Sequence, residues 1–270
     1  MPELPEVEVT RRGISPILEG AIVTAVIVRN PRLRWPVPAD LQDRLIGQVI
    51  RRIDRRAKYL LFNFDHGTLI VHLGMSGSLR IVEGSPPPGP WDHVELVFGH
   101  RRLRLRDPRR FGAVLWHEGP IESHPLIGHL GVEPFSPAFG GALLHAQSRG
   151  RRSAVKVFLM DNTIAVGIGN IYANESLYRA GIHPRTAAGR ITLGRYERLC
   201  ERIRETLSAA LSAGGSSLRD FVGGDGQAGY FQQSYTVYGR EGEPCRACST
   251  PVRRIVQGQR STFFCVRCQH

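Results

Sequence analysis

Two Cys-x-x-Cys pairs, Cys245-Arg-Ala-Cys248 and Cys265-Val-Arg-Cys268, enclose the sixteen residues 249 to 264. Four thiols at that spacing suit the closed tetrahedral shell of one structural Zn2+ better than a disulfide frame. A shell of four cysteines has no position left for a substrate, so the expected metal supports a fold and takes no part in chemistry. The residues between the pairs must then form a short two-stranded ribbon. Gln257-Gly258-Gln259-Arg260 reads as its turn and pushes Arg260 outward. The fifth cysteine, Cys200, lies on an apolar stripe with Tyr196, Leu199, Ile203, Leu207 and Leu211 and reads as helix core.

Charge narrows the partner. There are 36 Lys and Arg against 24 Asp and Glu, a net charge of +12. Much of the excess stands in arginine doublets such as Arg55-Arg56, Arg109-Arg110 and Arg151-Arg152, and guanidinium forks match phosphate oxygens. A polyanion is the expected partner, although a merely solvated basic surface has the same composition. No apolar run approaches the ~18 residues of a membrane span, and no secretory signal is visible. With reduced cysteines, this predicts a cytoplasmic protein that does not meet a membrane.

The opening Pro2-Glu3-Leu4-Pro5-Glu6-Val7-Glu8 concentrates reactive groups. With Met1 removed, Pro2 is a secondary amine. An α-amino group titrates near ~8 against ~10.4 for lysine, so its uncharged fraction at neutral pH is roughly a few hundred times larger. Its adduct with an aldehyde carbon is an iminium without N–H, permanently cationic and a strong electron sink. Pro5 suits a first helical turn, and Glu3 and Glu6 cluster at that helix's positive end. The same pattern, taken alone, also reads as an ordinary helix start.

The spacing predicts a helix over Pro5 to Leu18 and then a strand-rich region. Runs at Ala21 to Val28, Leu60 to Phe64, Thr68 to Leu73, Val94 to Phe98 and Leu103 to Arg106 are apolar or alternating, and fit a sandwich or barrel. Ser85-Pro86-Pro87-Pro88-Gly89-Pro90 is a surface loop. Residues 1–131 are expected as the first domain, 132–141 as a proline- and glycine-bearing linker, 142–235 as a helical domain and 236–270 as the zinc finger. Within the helical part, Ser153 begins one helix, 162–169 turns, and Asn170 opens another helix whose amides could hold phosphate. Gly223 lies in a stretch, 216–230, that reads as an idle connection or a lid over the substrate. The fold class is α+β.

Two turns carry unusual tips: Gly74-Met75-Ser76-Gly77 and Asp107-Pro108-Arg109-Arg110-Phe111-Gly112. Either apolar residue alone could be loop packing; both beside arginines suggest a wedge entering a base stack. Together with the opening Pro-Glu-Leu-Pro-Glu-Val-Glu, Lys58, His-Leu-Gly-Met-Ser-Gly at 72–77, Gly-Ile-Gly-Asn-Ile-Tyr at 167–172 and the cysteine tail, they give the chain a specific resemblance. From Pro2 to Gln269 it resembles the bacterial formamidopyrimidine-DNA glycosylases.

That resemblance implies an N-terminal β-sandwich flanked by helices, a helix-two-turn-helix domain and a zinc finger, with damaged double-stranded DNA crossing the cleft and the protein acting as a monomer on nucleoid DNA. It implies that Pro2 attacks C1′ of a flipped oxidised purine nucleotide, with Glu3 as general acid and base. Lys58 is then assigned to phosphate contact and β-elimination, and Arg260 to the lesion phosphates and δ-elimination. Met75, Arg109 and Phe111 match the residues that fill the vacated space and probe the opposite strand. His72, His93, Arg151, Lys156 and Asn170 match DNA-contact positions. Trp91 stands where relatives often have a DNA-contacting histidine, so that contact is lost, moved to His93 or replaced by indole packing. Glu6 is expected on local backbone, and Glu8 as solvated. The competing readings are an endonuclease VIII-like glycosylase for oxidised pyrimidines and a catalytically silent zinc-finger DNA-binding protein.

Overall fold

A computed structural model of the chain describes residues 2–215 and 234–270; the stretch around Gly223 that reads as a connection or lid lies outside them. Helix α1 spans Leu4–Leu18. Its start is fixed by a capping box: the Glu6 amide donates to the Glu3 side chain, and the Glu3 amide donates to Glu6 Oε2 at 2.8 Å. Two of the four amides that a helix leaves unsatisfied are thereby paired. The buried face of α1 carries Leu4, Val7, Ile14 and Leu18.

Among the described residues ten strands follow the period-two pattern only in part. β1 (Ala25–Val28), β3 (Tyr59–Phe64), β4 (Gly67–His72), β6 (Asp92–Phe98) and β7 (Arg101–Arg106) overlap the five runs read as strands. β1 is shorter than its apolar run, because Ile22 pairs singly with Val49 before the ladder to β6 begins. β2 (Arg52–Arg56), β5 (Ser78–Glu83) and β8 (Ala113–His117) were not marked by the pattern. β2 is four-fifths charged, and its pairing comes from β3 rather than from its own apolarity. Short helix α2 spans Leu41–Leu45.

Eight of these strands form two four-stranded antiparallel sheets, ordered β1-β6-β7-β5 and β2-β3-β4-β8. Leu79, Leu96, Leu103 and Leu105 of one sheet and Ile53, Phe62, Leu69 and Val71 of the other belong to a single buried cluster, with Val7 and Ile14 of α1. Each such side chain contributes ~1.5–3 kcal/mol by leaving water. This is a sandwich with its filling intact: the void between the sheets is about 10 Å³.

The chain divides into two units. One is Met1–Gly128, which also takes in the chain from Leu211; the other comprises His129–Ala210 and the finger to His270. The second unit holds α3 (Gly141–Ser148), α4 (Val155–Leu159), α5 (Asn170–Arg179) and most of α6 (Leu193–Ser212). α6 buries Tyr196, Leu199, Cys200, Ile203 and Leu207 along one stripe, the period of a one-sided helix. The stretch read as a linker is fastened to this unit. Val132 bridges Ala165, Phe139 is buried, and Arg204 donates to the carbonyls of Pro134 and Phe139. Strands β9 (Arg253–Gln257) and β10 (Arg260–Phe264) make the terminal ribbon. Among the described residues no helix is long and apolar enough to cross a membrane.

Candidate active site

Pro2 and Glu3 are both buried, Glu3 to 1% exposure, at the capped start of α1. A five-residue strand places Lys58 in the two-residue turn between β2 and β3, where Arg56 pairs with Tyr59. Ala57 takes φ +54° there, a conformation that costs a residue with a Cβ roughly 1 kcal/mol. Arg55 holds it: Nη1 donates to the Ala57 carbonyl at 2.8 Å while Nε donates to Glu8 Oε2 at 3.2 Å. Glu8 is therefore not solvated. It is buried and also accepts from Arg11 and Arg12, which makes it the anchor of the turn that carries Lys58. Glu6 is on the local backbone, as its position suggested.

His72 ends β4 across from Tyr59, their rings 4.9 Å apart. Burial, with the positive charges of Lys58 and Arg34, lowers its pKa to about 4. The ring is neutral at pH 7. Its Nδ1 accepts the Gly74 amide at 3.1 Å, so the proton sits on Nε2 and is available to an acceptor such as phosphate.

The two tipped turns are built around one buried carboxylate. Asp107, with no exposed surface, accepts from Ser76 Oγ at 2.7 Å and from the Gly112 amide at 2.7 Å. Ser76 Oγ in turn receives the Arg109 amide at 3.2 Å. Gly74, at φ +63°, lies so close to the Phe111–Gly112 backbone that a Cβ would stand 2.4 Å from the Phe111 carbonyl carbon. Only glycine fits there. The result is that Met75 and Phe111 stay 40% and 42% exposed, and the Arg109 guanidinium lies 4.9 Å over the Phe111 ring. Motif reading found the tips; it missed Asp107, whose only signal is an acid directly before Pro108 at a strand end.

His93 and Lys156, both read as DNA contacts, are instead turned inward. His93 is buried with Nε2 2.9 Å from the Asp107 carbonyl. Trp91 is the exposed member of that stretch, under the Arg106 guanidinium at 5.0 Å. Lys156 on α4 is 1% exposed and donates to the Ser261 carbonyl at 3.0 Å and to Thr262 Oγ1 at 2.6 Å. Asn170, first residue of α5, donates to the same Ser261 carbonyl at 3.1 Å. Two donors thus grip the peptide that follows Arg260. Gly258 and Gln259 both have positive φ, +53° and +60°, the geometry of a two-residue I′ turn, and Arg260 leaves this turn exposed. Arg151 and Arg260 line one recess of about 440 Å³, with Ser153, Phe158, Asp161 and Gln257.

Behind the ribbon, Cys245, Cys248, Cys265 and Cys268 bring their sulfurs within 4.8 Å of one another. Zn–S bonds of ~2.3 Å in a tetrahedron put sulfurs ~3.8 Å apart, and the spacings of 3.9, 3.4 and 3.5 Å fit one zinc ion. Tyr178 of α5 has its hydroxyl 3.2 Å from Cys245 Sγ. Glu175, one helical turn earlier and fully buried, accepts the amides of Thr236, Val237 and Tyr238, fixing the chain that enters the finger. Neither residue has a sequence signal beyond its place in an α-helical period.

Comparison with known proteins places these features together. Residues 1–114 match the formamidopyrimidine-DNA glycosylase N-terminal domain, 130–222 the H2TH domain of the same enzymes, and 242–270 the zinc finger found in FPG and IleRS. A formamidopyrimidine-DNA glycosylase of Aromatoleum aromaticum is 63% identical over 269 residues, covering 100% of this chain and 99% of that protein. One from Paraburkholderia phytofirmans is 59% identical with both chains fully covered. Lactococcus lactis Fpg, solved in complex with DNA containing an abasic site, superposes with TM-score 0.93 at 32% identity over 100% of both chains. Fpg of Thermus thermophilus gives 0.88 at 38% identity over 99% of this chain and 98% of its own. With its sandwich, helical domain and four-cysteine finger all accounted for, the chain belongs to the formamidopyrimidine-DNA glycosylase family.

Proposed function

We propose that this chain excises oxidised purines, 8-oxoguanine and formamidopyrimidines, from duplex DNA and then cuts the strand at the abasic site. The observation that carries the reading is the start of α1, where Pro2 adjoins a buried Glu3 in a helix cap. With Met1 removed, the Pro2 nitrogen bonds to C1′ of the flipped nucleotide. The C1′–base bond breaks with its electrons going to the base, and Glu3 serves as the proton carrier at the sugar and leaving group. Opening of the sugar leaves an iminium on C1′. Loss of a C2′ proton then expels the 3′ phosphate, and a second elimination expels the 5′ phosphate, leaving a one-nucleotide gap. Lys58, His72, Arg151, Asn170 and Arg260 are proposed at phosphates; Met75, Arg109 and Phe111 fill the gap in the stack. Zinc, when bound, supplies a rigid ribbon for Arg260. The place of action is cytoplasmic, on nucleoid DNA.

Borohydride should trap a covalent protein–DNA adduct at residue 2 on a duplex with one 8-oxoguanine. Glu3→Gln should bind the same duplex and lose excision by at least about 100-fold. A protein with a blocked amino terminus that still releases base and cuts at full rate overturns the assignment. A second substrate class has its own support: Lactococcus lactis Fpg has also been solved with DNA containing an oxidised pyrimidine. Oxidised pyrimidines are accordingly proposed as secondary substrates.

A further inference from the structure

On the outer face of the β1-β6-β7-β5 sheet, two arginines, Arg80 and Arg106, stand without a carboxylate bonded to either among the described residues. Ser78 pairs with Arg106, Arg80 with Arg104 and Asp92 with Arg106, so these side chains share one face while Leu79, Leu103 and Leu105 fill the core. Two acids stand on that face, and both are spent. Glu95 is fully buried among Arg29, Arg102 and Arg104. Asp92 accepts the Gly89 amide at 2.7 Å and pairs with Arg104 at 3.3 Å.

Arg80 and Arg106 are left over. Among the described residues neither has a carboxylate within hydrogen-bond reach, and the Arg106 guanidinium lies over the exposed ring of Trp91. Arg80 Nε and Ser78 Oγ are both buried without a hydrogen-bond partner. An unmet buried donor costs ~1–3 kcal/mol, and two guanidiniums on adjacent strands repel. Burial and the Arg106 charge outweigh the opposing pull of Asp92 and lower the pKa of Arg80. A tetrahedral oxyanion supplies what is missing: negative charge and several acceptor oxygens.

Position selects which oxyanion. Ser78 follows the Met75 turn directly and Arg106 precedes the Asp107 turn directly; the Asp107 amide donates to the Trp91 carbonyl at 3.0 Å. We infer that Arg80, Ser78, Arg106 and the Trp91 ring hold one backbone phosphate of the DNA duplex, flanking the residues that enter the base stack. This rests on the reading of the chain as a duplex-DNA enzyme.

The test is the salt dependence of binding to a lesion duplex by full-length, zinc-loaded protein. Each neutralised phosphate contributes ~0.9 to the log–log slope. Arg106→Gln and Arg80→Gln should each reduce the slope by up to about that amount, so that the loss of affinity between 50 and 200 mM salt shrinks by about 3-fold. Arg101→Gln, on the exposed pair with Glu83, should leave it unchanged. Single methylphosphonate substitutions along the duplex localise the contact: at one position the neutral linkage should weaken the wild type several-fold and leave Arg106→Gln unaffected. Wild-type slopes at Arg80→Gln and Arg106→Gln, or additive effects at every methylphosphonate position, overturn the site. Absence of salt-dependent duplex binding by the wild type would instead overturn the DNA reading itself.

Discussion

At Glu8, burial and charge pull in opposite directions. Burial works to raise the carboxyl's pKa, and the Arg11, Arg12 and Arg55 guanidiniums outweigh it, bringing it from 4.5 to about 2. A carboxylate depressed in the folded state binds fewer protons than in the unfolded chain, so its contribution is complete above about 4.5 and drains away as pH falls through about 2. Glu8→Gln should lose on the order of 3 kcal/mol at pH 7 and a little under half of that at pH 3. Urea unfolding of both proteins at the two pH values checks this; an equal loss at both would assign the effect to packing. Glu8 was expected in solvent because its partner Arg55 is 47 residues away, and only a strand pairing brings such groups together. Arg109 is the opposite case, since the turn that holds it over Phe111 was legible as a motif. Its fork of donors suits the O2 and N3 acceptors of cytosine better than adenine. Arg109→Ala should reduce the preference for excision opposite cytosine over adenine by about 10-fold, while Phe111→Ala should slow excision opposite either base. Single-turnover incision on the two duplexes measures both, and an undiminished preference in Arg109→Ala would place opposite-base reading elsewhere.

Elements differ in how much of themselves they announce. α1, α6 and the cysteine ribbon were readable because cap, period and ligand spacing are local properties. β2, β5 and β8 were not, because their residues become strand only by pairing with β3, β7 and β4. Asn170 and Lys156 show the same limit from the side of function. Each was expected at a phosphate and, in the fold, also places a donor on the Ser261 carbonyl, a bond across 91 or 105 residues that no sequence spacing reveals. The ribbon is therefore held twice, by the expected metal behind and by these two donors beside Arg260. Cys248→Ser should open the four-sulfur shell, release zinc to a chromogenic chelator at least about 10-fold faster and weaken DNA binding and incision together. Metal-free protein that keeps wild-type incision would show that the two donors alone suffice.

For the molecule as a whole, fold class and family were legible because a few rare local motifs occur in one order, whereas Asp107, Glu175 and Tyr178 were not, because each acts through groups that only folding delivers. Residues 132–141 read as a linker from composition, and within the second unit Val132, Pro134 and Phe139 are hydrogen-bonded to its other residues. The chain path carries a consequence in time. The first unit is discontinuous, built from residues up to Gly128 and again from Leu211. Gly215, at φ +84°, is close enough to α1 that a Cβ there would lie 3.4 Å from the Glu6 carboxyl. During synthesis, the cap that holds Pro2 and Glu3 leaves the ribosome first, but this neighbour emerges only after most of the helical unit has been made. The capped start of α1 is thus among the earliest parts translated, while the backbone packed beside Glu6 is among the later ones, so an unfinished chain presents that cap without its neighbour.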